Sequence, residues 1–313
     1  MLSKTWKNFF IIIFLIGVNS QKVSAQYYFY SAEYFDQPVL VEIGGSINAM
    51  NCLTDLGGKK GIGKRFFKDF NIGKTQLAGG IFFSATYKNA VGLRLEGTFG
   101  KISADDNVLK GVTDIAKERF NRNLNFRSTI TEVSVIAELH PLFLFIDWAN
   151  RDDPPPRLSP YFLVGIGYFA FNPQGQVPGT NRWVDLQPLR TEGEGFATHP
   201  DRPVYKLKQM NVPVGFGVKH ELSRIFSIRL EGVYRILNTD YLDDVSRTYI
   251  NPIEFVNNLP PGKAALARRM ADKQIISKTN PLGGGKRGSP GEKDAYFSLN
   301  LKLGLILGRQ KIQ

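Results

Sequence analysis

The chain has 313 residues, 40 Lys and Arg against 28 Asp and Glu, and a single cysteine. That length suits one large or two ordinary domains, and 42 % hydrophobic residues exclude global disorder. One cysteine excludes a disulfide framework and any zinc site built on several thiolates.

Residues 1–25 read as an export signal. Lys4 and Lys7 form a basic start, Phe9 to Val18 is an apolar run, and Val23-Ser24-Ala25 is a small-residue cleavage site, so the mature chain, 26–313, begins at Gln26. The apolar run is too short to cross a bilayer as a helix. Removing this segment takes away Lys4, Lys7 and Lys22 and leaves +9 over 288 residues. An exported basic protein points to anionic lipid or acidic partners and not to nucleic acid.

Period-2 alternation then predicts eight strands. They are Val39–Asn48, Gly79–Tyr87, Val91–Lys101, about Leu124–Leu139, Tyr161–Asn172, Lys208–His220, Phe226–Ile236 and Phe297–Leu307. The fourth changes phase near Thr131, which predicts a bulge. The fifth is apolar on both faces, so its orientation is open. Long connections, about 49–78, 103–123, 173–207 and 237–295, follow the odd strands. Tight ones, 88–90 and 221–225, follow even strands, and 140–160 is intermediate. Trp148 and Pro154-Pro155-Pro156 mark that segment as a structured projection.

This alternation fits an all-β, eight-stranded antiparallel transmembrane β-barrel with long extracellular loops and short periplasmic turns. A soluble sandwich or lipocalin-like barrel alternates too. Tyr87, Phe99, Phe171, Tyr234 and Phe297 suit the aromatic girdles of a membrane barrel. Within the loops, Thr113–Arg122 and Ala264–Ile276 read as helices and Gly283–Gly291 as a flexible stretch.

Several constellations bear on chemistry. Arg94, Glu96, Arg229, Glu231, Arg235 and Lys302 face inward and form ion pairs that fill a narrow lumen, or else line a pore. His140 and His220 fall at periplasmic turns and His199 in an outer loop, so they do not converge and read as solvated turn residues. His199 beside acidic loop residues is the sole motive for a lipid-modifying enzyme. Asp240, Asp243 and Asp244 either bind calcium, or pair with Arg235 and Arg247 or cap a turn. Lys263, Arg268, Arg269, Lys273, Lys278, Lys286, Arg287 and Lys293 make the last loop basic, a solvated face or a contact for anionic lipopolysaccharide or an acidic partner. No Walker loop, no C-x-x-C, no H-E-x-x-H and no G-x-S-x-G occurs.

Specific strings stand in order along the chain. They are Arg122-Asn123-Leu124-Asn125-Phe126-Arg127-Ser128, Trp183-Val184-Asp185-Leu186-Gln187-Pro188-Leu189 with Thr191-Glu192-Gly193, and Thr239-Asp240-Tyr241-Leu242-Asp243-Asp244-Val245-Ser246. With Pro160-Tyr161-Phe162 and Val212-Pro213 they resemble the PorG-like outer-membrane β-barrel component of the type IX secretion system of Bacteroidota, from about Val41 to the end. The chain departs from a common outer-membrane pattern by ending Lys311-Ile312-Gln313 and not in an aromatic residue. The resemblance implies a non-enzymatic, gliding-associated secretion component without cofactor. Its expected partners are a periplasmic ring of a PorK-like lipoprotein and a PorN-like protein. The family-motif residues Arg122, Asn123, Phe126, Arg127, Trp183, Asp185, Gln187, Pro188, Thr239, Asp240, Tyr241, Asp243 and Asp244 are its interaction candidates. The alternatives are a general barrel acting as adhesin or small-solute channel, and the lipid-modifying enzyme. The outer motifs either meet a partner or pack on one another and cap the barrel.

Overall fold

The computed structural model describes residues 38–57, 72–111, 116–148, 156–276 and 283–308. The expected signal segment and the start at Gln26 lie outside these residues, as do Pro154, Pro155 and Lys278. Among the described residues no helix is long and apolar enough to cross a membrane, which says nothing of strands.

The described residues form nine strands. They are β1 (Val39–Leu53), β2 (Gln76–Tyr87), β3 (Val91–Asp105), β4 (Asn125–Leu139), β5 (Leu158–Gln176), β6 (Trp183–Asp185), β7 (Lys208–Glu221), β8 (Phe226–Leu237) and β9 (Ala295–Leu307). Eight of them pair antiparallel around a ring, which the β4–β5 ladder closes. β6 is a short addition to the end of β5, with Gln176 opposite Trp183. The β2–β3 turn is type I′. Lys88 and Asn89 both take positive φ (47° and 57°), which matches the strand twist. The β5–β7 ladder skips the pairs beside Pro213, which has no N–H to donate.

The polarity is inside out for a water-soluble protein. Ile47, Ile81, Leu93, Val133, Ile166, Phe216, Leu230 and Leu301 point outward and are exposed. Glu42, Arg94, Glu138, Arg229, Glu231 and Lys302 point inward and are buried. A contiguous apolar surface of this extent marks a membrane interface, and this decides against the soluble sandwich. Tyr87, Phe99, Tyr234 and Phe297 face outward, but Phe171 does not. It points into the barrel and stacks between Phe169 and Tyr205.

The strands overshoot the bilayer at the long-loop end, and this corrects several expectations. A tilted crossing strand needs about 9–11 residues, whereas β5 has 19 and β3 and β4 have 15 each. β4 alternates without interruption past Thr131 and keeps one register with β3, so no bulge is present. What changes there is the chemistry of each face. Below, Glu132, Ser134 and Glu138 face the lumen and Val133 and Val135 face outward. Above, Phe126 and Ile130 face inward and Arg127, Thr129 and Thr131 face outward. The same change makes β5 apolar on both faces. Phe169 and Phe171 enter an apolar core inside the barrel mouth, with Phe126, Ile130, Leu242, Val245 and Tyr296. Above the mouth, the loops carry a second core of Val177, Leu186, Phe196, Ile250, Phe255 and Met270.

Among the described residues there are four short α-helices: α1 (Ala116–Arg122), α2 (Pro141–Phe145), α3 (Pro252–Asn258) and α4 (Pro261–Ala271). α4 starts and stops earlier than its sequence suggests, because Pro261 suits a first turn and Asp272 leaves helical backbone. The glycine stretch after residue 283 is tied down. Gly284 donates to Tyr249 O, Arg287 and Gly288 donate to Arg247 O, and Thr248 bridges to Lys286.

Candidate functional site

The lumen holds a connected ionic network, with the separate pair of Arg235 and Glu132 beside it. Arg94 meets Glu138 Oε1 through Nη1 at 2.5 Å, Glu231 Oε2 at 3.1 Å and Glu96 Oε2 at 3.0 Å. Arg229 bridges Glu138 (2.8 Å) and Glu42. Lys302 joins Glu96 (2.5 Å) to Glu231 (2.9 Å), Lys219 reaches Glu42 (3.1 Å) and Arg235 reaches Glu132 (3.1 Å). Tyr161 donates to Glu231 at 2.7 Å, and Tyr296 donates to Glu132 at 3.0 Å. Glu221 lies 3.9 Å from Lys219, so five cations face six carboxylates, all buried. Sequence reasoning placed Arg94, Glu96, Arg229, Glu231, Arg235 and Lys302 inside but missed Glu42, Glu132, Glu138 and Lys219. Their inward parity was readable on β1, β4 and β7, but the apparent phase change in β4 obscured two of them. The side chains fill the lumen, as in small eight-stranded barrels.

At the short-turn end, His140 is 2 % exposed and not a solvated turn residue. The β4 ladder ends one residue before it, which turns its ring back under the barrel floor. Its Nδ1 lies 2.9 Å from Ser159 Oγ and its Nε2 lies 3.6 Å from Glu138 Oε2. Serine, imidazole and acid are the parts of a nucleophilic triad. Here, however, Glu138 is already shared by two guanidiniums, and the adjoining cavity measures about 10 Å³. His199, at the other end, pairs with Glu254 at 3.0 Å.

The long-loop end is a folded cap, and the motif residues converge on it. α1 stops at Asn123, whose φ of 56° is the left-handed value that asparagine tolerates at a helix end. That turn places Arg122 beneath the loops. Its Nε and Nη2 donate to Asp106 at 2.9 and 3.0 Å. Its other donors reach Arg287 O and Asp55 O, both at 2.7 Å. Asp106 also accepts from Gly57 N (3.0 Å) and Leu124 N (3.1 Å). Arg287 donates to Glu192 at 2.9 Å and to Asp244 O at 2.6 Å. Glu192 accepts from Ser246 N and Arg247 N.

The acidic run in the last loop is therefore a clasp. Asp244, at φ 68°, accepts from Thr191 Oγ1 (2.5 Å) and Tyr205 OH (2.6 Å). Asp243 accepts from Leu56 N (3.1 Å) and Val245 N (3.0 Å). Thr239 O accepts from Asp294 N, and Tyr241 stacks on Tyr205 at 4.8 Å. The expected partners are elsewhere, since Arg235 is spent on Glu132 and Arg247 on Asp201. The distances explain this: Arg235 points down into the lumen while the clasp sits above it. Among the described residues no group of His, Cys, Asp and Glu is arranged for a metal ion. Burial pushes the Asp244 carboxyl up to about 6 and Asp240 up to about 7. Burial, with Asp244 and Glu192 adding to it, pushes Glu194 up to about 8.

The other motif residues divide between the cap's interior and its outer wall. Phe126 is in the mouth core. Gln187 donates to Tyr205 O at 3.1 Å, and Pro188 starts the tight turn that buries Leu189. Arg127, Trp183 and Asp185 lie on the outer sheet face. The Arg127 guanidinium stands 4.4 Å over the Trp183 ring and donates to Gln174, while Asp185 accepts from Asn172 (3.0 Å) and Gln174 (2.8 Å). Of the basic last loop, Arg287 and Lys273 are buried in the cap, whereas Arg268, Arg269, Lys286 and Lys293 are exposed. Burial and the neighbouring Arg287 draw the Lys273 ammonium down to about 8.

Closure, strand number and inverted polarity define an eight-stranded β-barrel of the outer-membrane type. No protein-family model matches the sequence, and no curated protein does. Among solved structures it is similar to Ail, the attachment invasion locus protein of Yersinia pestis, at 9 % identity and TM-score 0.34, covering 86 % of this chain and 97 % of that one. It is similar to Neisserial surface protein A at 8 % identity and TM-score 0.31, with 86 % and 97 % covered. It is also similar to the outer membrane protein OprG from Pseudomonas aeruginosa at 9 % identity and TM-score 0.28, with 86 % and 92 % covered.

Proposed function

We propose that this chain is a non-enzymatic outer-membrane barrel that anchors or organises type IX protein secretion machinery. Its long loops face outward and both termini face the periplasm, after export by a cleaved signal. The ordered strings of the PorG-like pattern carry the reading. They supply Arg122, Glu192, Asp243 and Asp244, the groups that lock the long loops together. Such a pattern is a requirement of one cap and not of barrels in general. A lumen filled with ion-paired side chains favours a scaffold over a channel.

The periplasmic ring, a PorK-like lipoprotein with a PorN-like protein, would meet the short-turn end. There the β4–β5 connection projects α2, with Leu144 and Phe145 exposed at 45 % and 79 %. Trp148 braces it by donating to Leu142 O at 2.9 Å. Deleting the gene is expected to abolish secretion of type IX cargo. Leu144→Glu with Phe145→Glu is expected to lose the ring lipoprotein from pull-downs of solubilised membranes, with the barrel still resistant to denaturation by detergent. Normal secretion without the protein would overturn the proposal.

A further inference from the structure

We propose that the cap carries a saccharide-binding pocket where the start of β4 and the end of β5 meet the 177–181 loop and Lys273. A cavity of about 450 Å³ opens there, within the range of about 300–1,000 Å³ typical of small-molecule sites. Its wall is built mainly of carboxamides, Asn107, Asn123, Asn125, Gln176 and Asn181, together with Thr180 and Lys273. Carboxamides offer a donor and an acceptor side by side, which is what the hydroxyls of a sugar ring require. Val177, Pro178 and Gly179 complete the lining and leave the carboxamides as its main polar groups.

The pocket is held rigid from behind. Lys273, itself 9 % exposed, spends two of its three donors on Asn125 Oδ1 (3.2 Å) and Gln176 O (2.8 Å). Asn125 Oδ1 also accepts from Gln176 N at 3.0 Å, and Asn123 Nδ2 is fixed on Lys273 O at 3.1 Å. Gln176 donates to Thr180 O at 2.8 Å and so fixes the rim. By contrast, the side-chain amides of Asn107 and Asn181 make no hydrogen bond among the described residues, and both residues are exposed. These two have no structural work and are placed to receive a ligand.

The height of the pocket fits the same ligand. The outward apolar rows end at Val133 on β4 and Tyr168 on β5. Asn125 and Gln176 each lie eight residues further up their strands, about 27 Å along the strand. With a tilt of about 35–45° this is ~20 Å above the hydrocarbon edge, beyond the headgroup layer of about 5–8 Å. Given the outward orientation of the loops, the pocket stands among the sugars of the outer leaflet.

The test uses the mature protein in nanodiscs, titrated with core oligosaccharide released from lipopolysaccharide of the same strain and, separately, with surface polysaccharide of that strain freed of lipid. Binding of the first assigns the pocket to a lipid-borne sugar and binding of the second alone to a free glycan; either supports the proposal. Asn107→Ala with Asn181→Ala is expected to weaken binding about tenfold or more, with thermal unfolding unchanged. Asn181→Trp, which fills the mouth, is expected to abolish it. No binding of either probe at millimolar concentration, or binding that neither variant changes, would overturn the proposal. Secretion assays do not enter this test, so it fails or stands apart from the proposed function.

Discussion

Replacing Arg122 with methionine keeps the stem of the side chain and removes its guanidinium. Four hydrogen bonds go with it, two to Asp106 and one each to the backbone of Arg287 and Asp55. Asp106, fully buried, is left with backbone donors from Gly57 and Leu124 but no opposite charge. Stranding one partner of a buried ion pair costs about 3–5 kcal/mol. The two remaining donors place the loss near the lower end of that range. The cap has its own cores, so the loss should appear as local opening and not as unfolding of the barrel. Hydrogen exchange reads this directly. Protection of the Gly57, Leu124 and Gly288 amides should fall about 100-fold, at roughly 1.4 kcal/mol per tenfold. Amides in the middle of β3 and β9 should be unaffected. Adding Asp106→Asn, which removes the stranded charge but keeps an acceptor, should restore about half of the loss. Loss of protection spread evenly through the strands, or a change below about threefold, would refute the reasoning.

Two further outcomes follow from the ionic networks. Glu138→Gln leaves Arg94 and Arg229 short of their shared carboxylate, and should lower barrel stability by about 3 kcal/mol, seen as a lower denaturant midpoint in detergent. The cap should loosen as pH rises. Asp244, Asp240 and Glu194 titrate in the folded cap at about 6, 7 and 8, above the unfolded carboxyl range of about 4. Carboxyls raised on folding contribute stability that is fully present below about pH 4 and is lost as pH climbs through their folded values. Limited proteolysis of the last loop should therefore quicken between about pH 4 and 8; slower cleavage over that range would contradict the assignment.

The legibility of this chain depended on where a residue stood along its strand. Arg94, Glu231 and Lys302 were placed by parity alone, because within the bilayer one face must be apolar and the other must hide its charges. Above the bilayer the rule reverses. Phe171 obeys the same parity but points into the mouth core, and it was read as a girdle residue because its surroundings, not its alternation, had changed. The continuous β4 was read as bulged at Thr131 for the same reason. A histidine at a turn is expected to be solvated, while here Ser159 and the barrel floor cover His140. The acidic run Asp240–Asp244 announced itself by its oddity, but its partners were unreadable. Asp243 meets Leu56, Asp244 meets Thr191 and Tyr205, and Leu242 N reaches Asp294.

The sequence by itself determined the barrel: its strand number, which faces meet lipid and which loops are long. Those features are local, since alternation and turn chemistry are written within a dozen residues and the bilayer supplies the reference direction. Only the tertiary structure decided that the long loops fold into one cap, that the motif residues are its clasp, and that an amide-lined pocket opens on its wall. Arg122 and Arg287 are 165 residues apart and meet through a single backbone oxygen. Without a membrane to fix direction, packing among distant loops is set by which buried charges find partners, and no periodicity records that choice.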